Sequence, residues 1–166
     1  VETSKLPKFY FNFKKYKKAW LDTDTPFTSA ITLVIGLKKA VEKINKQGID
    51  NVIAEHNAQA RAFRAACNAV GLEIFSKSPS SAVTGVNTPA RINADDLIKL
   101  LKTEFNVTFA GGQEHLKGRI FRCAHMGGID KEHTIESIKA LEQALTKLGY
   151  EFKAGAGVAA AENILY

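Results

Sequence analysis

Residues 107–124 read VTFAGGQEHLKGRIFRCA, and their interpretation decides the fold. Val107 to Ala110 and Arg119 to Ala124 are β-prone runs on either side of a glycine loop, Gly111 and Gly112 followed by Gln113, so the stretch predicts two strands. Downstream, Asp130 opens a helix whose apolar residues Ile135, Ile138, Leu141, Leu145 and Leu148 recur at helical spacing until Gly149 closes it. Upstream, Asn93 caps a helix with Asp95 and Asp96 in its first turn, where carboxylates favour the positive end of the dipole. Its buried face is Leu97, Leu100, Leu101 and Phe105.

Working further outward, Leu72 to Phe75 and Ser81 to Val86 read as two short strands joined by a turn at Ser78, Pro79 and Ser80. Two long helices precede them. Residues 29–47 carry Ile31, Val34, Leu37, Val41 and Ile44 near helical spacing and stop at Gly48. Asp50 is expected to cap the second, which buries Val52, Ile53, Ala60, Phe63, Cys67 and Val70 and ends at Gly71. Short strands and short connections in the order ααββαββα predict an α+β two-layer sandwich, with helices packed on one face of a small, mostly antiparallel sheet. At the start, Phe9, Phe11 and Phe13 alternate with Tyr10, Asn12 and Lys14, the period of a strand. At the end, the small-residue segment from Gly155 to Ala161 reads as a flexible tail or a short docked segment.

The 166 residues are 45% apolar and 9% aromatic, enough to bury a core without disulfide staples. The net charge of +6 invites a nucleic-acid partner. Its local source, however, is Lys5, Lys8, Lys14, Lys15, Lys17 and Lys18, a short run that reads as a solvated edge, and no nucleic-acid role is expected. Cys67 and Cys123 lack metal or redox spacing, which fits a reducing, cytoplasmic compartment. The longest apolar stretch, Ala30 to Leu37, is far short of a membrane span. No apolar core follows the basic residues near the start, so no signal peptide is expected.

Few residues carry chemistry. Arg119 and Arg122 stand three apart on a predicted strand, hence on opposite faces, and one of them should point inward beside the glycine loop. An inward arginine there could fork a carboxylate or pair with a structural acid. Gly111 and Gly112 allow close backbone approach to a ligand, or simply a turn. Thr23, Thr25 and Thr28 precede a helix, where hydroxyls and free amides hold a phosphate or cap the helix. His56, His115, His125 and His133 have no metal-ligand spacing, and no metal site and no catalytic pair are expected. On these residues alone the chain could equally be a non-catalytic module that binds amino acids or serves a structural role.

Taken in order, the residues Thr25 to Thr28 (TPFT), Ile35 to Lys39 (IGLKK), Ala110 to Gln113 (AGGQ) and Ile120 to Gly127 (IFRCAHMG) resemble the C-terminal region of class V aminotransferases, most nearly the alanine– and serine–glyoxylate enzymes. Some members of that group carry the label of soluble-hydrogenase subunits. The resemblance implies a fold-type I enzyme, working as a homodimer, that uses pyridoxal 5'-phosphate to move an amino group from alanine or serine to glyoxylate. Arg122 takes the place of the arginine that holds the substrate carboxylate, and Gly111 and Gly112 that of the loop beside it. Thr25 and Thr28 take the place of the residues that touch the cofactor phosphate. Where the family continues Ile-Gly after that arginine, this chain has Cys123 and Ala124. The resemblance further implies that residues 1–28 are a remnant of the large cofactor domain and interdomain loop, 29–149 the small C-terminal domain and 150–166 a tail. No lysine here matches the family's cofactor-bearing lysine, so the chain by itself is expected to hold no cofactor and to be inactive.

Overall fold

The computed structural model describes residues 3–166. It divides into two compact units, one running to Gln47 and the other from Gly48 to Tyr166.

The first unit holds helices α1, Phe13–Leu21, and α2, Ile31–Gln47. The strand expected at Phe9, Phe11 and Phe13 is absent; the chain turns at Tyr10 and Phe11 and enters α1 at Phe13. The reason is local. The side chain of Asn12 accepts from the amides of Lys14 and Lys15 and so starts a helix in the middle of the alternation. The aromatic side chains gather instead around Phe27, with Phe9 at 5.3 Å, Tyr10 at 4.6 Å and Tyr16 at 6.1 Å between ring centroids. In α2 the predicted helix is present, yet none of its side chains is buried.

The second unit carries the core. Helix α3, Ile49–Ala69, buries Gln59, Ala60, Ala62, Phe63, Ala66 and Cys67. Gly48, at φ 88°, occupies the cap position, so Asp50 lies in the first turn and does not cap the helix as its side chain suggested. A three-stranded antiparallel sheet follows, in the order β1-β3-β2, built from β1 (Val83–Asn87), β2 (Ala110–Gly111) and β3 (Ile120–Ala124). The register pairs Thr84 with Cys123, Gly85 with Arg122 and Val86 with Phe121. Thr84, Val86, Phe121 and Cys123 are buried beneath the helices, while Val83, Gly85, Arg122 and Ala124 alternate onto the other face.

Two predicted strands shrink. Residues 72–75 contribute a single bridge, Ile74 to Val86. Residues 107–110 pair only from Ala110, because Asn106 turns into the left-handed region at φ 54° to end the preceding helix. That helix, α4 (Ala94–Phe105), is capped by Asn93 as predicted, through a bond from the Asp95 amide to the Asn93 side chain. Helix α5, Lys131–Lys147, is likewise capped by Asp130, which accepts from the His133 amide. Inside, Phe109 stacks on Phe121 at 5.6 Å and meets the ring of Phe63 edge-on at 5.7 Å.

The segment after Gly149 resolves the two sequence alternatives in favour of docking. It forms α6, Ala156–Leu165, which packs chiefly on α3. Its start is held by α5. The Glu142 carboxylate accepts from the amides of Gly155 at 2.8 Å, Gly157 at 2.7 Å and Val158 at 3.2 Å, so a carboxylate thirteen residues or more upstream caps this helix. A Cβ on Gly157 would stand 2.8 Å from that carboxylate and 3.2 Å from the Ala66 carbonyl, which is why position 157 holds a glycine.

Candidate functional site

Arg122 stands at the centre of β3, in the middle strand of the sheet and on the face opposite the buried Thr84, Val86, Phe121 and Cys123. It is half-buried. The alternation that predicted an inward arginine is modified: Arg119 is exposed just ahead of the strand, and Arg122 faces away from the helical layer and into a cleft. Its Nε donates to the Gly111 carbonyl at 2.9 Å. That bond ties the guanidinium to the glycine loop through Nε; its two terminal nitrogens are the fork that suits a carboxylate.

The glycine loop is therefore tied to the arginine, as the sequence order suggested. Gly112 is sterically obligatory, since a Cβ there would fall 2.1 Å from the Leu116 carbonyl oxygen. From Gln113 the chain runs through a single 3₁₀ turn at Glu114–Leu116 and returns to β3. The cleft of ≈ 580 Å³ beside Arg122 is closed by this turn on one side and by the segment Phe75 to Ser80 on the other.

Two cleft residues, Ser78 and Ser80, are expected from the sequence only as a turn; with Gln113 of the glycine loop and His115 they contribute polar groups to its wall, beside Glu114. The available signal was the Gly-Gly-Gln loop itself; nothing local could have placed the serines opposite it, because they lie more than thirty residues upstream.

Beneath the sheet lies a separate buried polar group. Thr84 Oγ1 and His125 Nε2 share a hydrogen bond of 2.8 Å, and Arg64 reaches Thr84 Oγ1 at 3.5 Å and the Ser80 carbonyl at 3.4 Å. Burial, reinforced by the positive charge of Arg64 and by His56, lowers the pKa of His125 to about 4. It is neutral near pH 7 and serves the fold. Cys67 and Cys123 are buried thiols, Cys123 pushed up to about 12 by burial and Cys67 raised further.

Thr25 and Thr28 belong to the first unit. Thr25 donates from Oγ1 to the Phe27 carbonyl at 2.9 Å, and its amide donates to Asp24 Oδ1 at 2.7 Å. Thr28 is exposed, three residues ahead of α2.

No family model matches the chain. Among known proteins it is 39% identical to the soluble hydrogenase 42 kDa subunit of Anabaena cylindrica, over 98% of this chain and 43% of that one. It is 31% identical to the serine–glyoxylate aminotransferase of Arabidopsis thaliana, over 99% of this chain and 42% of the relative. The crystal structure of pyridoxamine–pyruvate aminotransferase from Mesorhizobium loti superposes with a TM-score of 0.80 at 29% identity, covering 84% of this chain and 36% of the other. The α+β unit with its small antiparallel sheet is that of an aminotransferase C-terminal domain. The chain spans less than half the length of the relatives it matches. It corresponds to the C-terminal portion of class V aminotransferases, the group of the serine– and alanine–glyoxylate enzymes.

Proposed function

We propose that this chain supplies the substrate-carboxylate and cofactor-phosphate contacts of an aminotransferase that moves an amino group from alanine or serine to glyoxylate. The observation that carries the proposal is the guanidinium of Arg122, oriented by the Gly111 carbonyl and opening onto a cleft of ≈ 580 Å³. Both substrates of such a reaction, an amino acid and a 2-oxo acid, present the one group that this fork recognises. Holding the carboxylate in a fixed plane sets the α-carbon at a fixed distance and angle, which converts an encounter into a reactive pose. Gly111 acts as the positioning partner of the arginine, and Gly112 lets the loop close against Leu116.

The family implies pyridoxal 5'-phosphate. Residues of this chain fit its phosphate chemically: Thr25 and Thr28 offer hydroxyl donors ahead of the N-terminus of α2, where the Ile31 amide already donates to the Ser29 carbonyl and the Val34 amide to that of Ala30. Thr25 must release the Phe27 carbonyl to donate to a phosphate oxygen, whereas Thr28 has no such bond to break among the described contacts. When bound, the cofactor supplies the carbonyl and the electron-storing ring that the transfer requires. Turnover then depends on a lysine in the family's motif, which no lysine of these 166 residues matches. In the complete enzyme the chain is expected to work as a homodimer.

The experiment compares a full-length enzyme carrying this sequence, the same enzyme with Arg122→Ala, and this chain alone, by cofactor absorbance and alanine–glyoxylate transamination. The full-length enzyme should absorb and turn over. Arg122→Ala should keep the cofactor and lose about a hundredfold in kcat/KM, the scale of a two-pronged charged contact. This chain alone should show neither property. A full-length protein that binds no pyridoxal phosphate would refute the assignment.

A further inference from the structure

Gly85 sits in the middle of β1, where a glycine has no evident structural reason to be. Its φ lies outside the left-handed region. A Cβ built on it meets only Phe75, at 3.6 Å to Cβ and 3.8 Å to Cδ1, which are ordinary van der Waals contacts. The fold would accept alanine at this position, and a glycine within a strand weakens it through backbone entropy and lost side-chain packing. Gly112 is the contrast, since there the fold forbids any side chain.

The register explains what else is at stake. Gly85 is the cross-strand partner of Arg122 and lies on the same face of the sheet. Because the Gly85 carbonyl accepts from the Phe75 amide on the far side of β1, Gly85 and Arg122 form the closer kind of cross-strand pair, the one without mutual hydrogen bonds. A side chain at position 85 would therefore enter the cleft that Arg122 also lines.

We infer that Gly85 is a specificity-determining residue: its missing side chain leaves open the approach to Arg122 that a small carboxylic acid, glyoxylate or a short amino acid, must occupy. The inference rests on the assignment of Arg122 as the carboxylate site. It adds that the clearance over the guanidinium is set from β1 by one position, and that enlarging that position excludes ligand without disturbing the fold.

The test uses this chain, isotopically labelled, and glyoxylate as the probe. The Arg122 Nε–H resonance and the Gly85 amide are followed by NMR during titration, and melting temperatures are recorded for wild type, Gly85→Ala, Gly85→Val and Arg122→Ala. The expected result is saturable shifts in wild type, their loss in Arg122→Ala, and affinity falling from glycine to alanine to valine, by about tenfold or more for valine. Gly85→Ala should melt at or above the wild-type temperature, which shows that lost binding is not lost folding. If Arg122→Ala abolishes the shifts while both Gly85 variants bind as wild type does, the role of Gly85 is overturned and the carboxylate site stands. If Gly85→Ala melts well below wild type, the glycine is structural and the inference is again overturned. Unchanged shifts in Arg122→Ala, or none in wild type, overturn the carboxylate site and the inference together.

Discussion

At the scale of single residues, His125 illustrates how burial converts a titratable group into a pH-dependent contribution to stability. It is 2% exposed and its pKa is lowered to about 4, whereas in the unfolded chain it returns to the ordinary value of 6.5. The unfolded state therefore takes up a proton first as the pH falls. Stability is complete above about pH 6.5 and is lost progressively toward pH 4, by about 3 kcal/mol if the site behaves as an isolated group. Melting temperatures between pH 7 and 4 should fall more steeply for wild type than for His125→Gln, and parallel curves would disprove it. The two cysteines give a second prediction. With both thiols buried and their pKa values raised, a disulfide exchange reagent at neutral pH should leave the folded chain unlabelled and label both Cys67 and Cys123 once denaturant is added.

At the scale of elements, α6 depends on a cap it does not carry. Glu142→Ala removes the acceptor of three amides, and a loss of about 2 kcal/mol is expected, with hydrogen exchange accelerated first in α6. Glu142→Gln keeps one oxygen and should lose less. Equal exchange in α6 and α4 after Glu142→Ala would argue against a local role. This contact shows where the sequence could be read and where it could not. Asn93 and Asp130 were recognisable as caps because they bond amides within three residues of themselves. Glu142 bonds amides thirteen and more residues away on another helix, and no local pattern encodes that. The same boundary divides the candidate site. Arg122 and the glycine loop lie within one strand-loop-strand unit and are legible together; Gly85 reaches the cleft through sheet register, and Ser78 and Ser80 through the loop that leads into β1, neither of which periodicity specifies. The strand expected at Phe9 to Phe13 fails in the opposite way, since a local cap at Asn12 overrides the alternation of aromatics.

At the scale of the whole chain, the two units differ in how they treat apolar side chains. The second unit encloses Phe63, Phe121, Leu97, Leu101, Ile138, Leu141 and Leu145. In α2, by contrast, Ile31, Leu33, Val34, Ile35, Leu37 and Val41 are all exposed, on more than one side of the helix. The folded chain should therefore bind an apolar fluorescent dye, and replacing Leu33, Ile35 and Leu37 by glutamate should weaken the signal while leaving the second unit's melting temperature unchanged. A dye signal undiminished by those replacements would locate the apolar surface elsewhere. The docking of α6 on α3 bears on how the protein is made. The Ala66 carbonyl on α3 lies against Gly157, so the two helices that seal one flank of the core are separated by nearly the entire second unit. Such distant pairing is slow, and it cannot begin until α6 itself has been synthesised. A chain cut before Ala156 holds α3 with its alanine face uncovered, and resistance of the second unit to protease should depend on residues 156–165 being present.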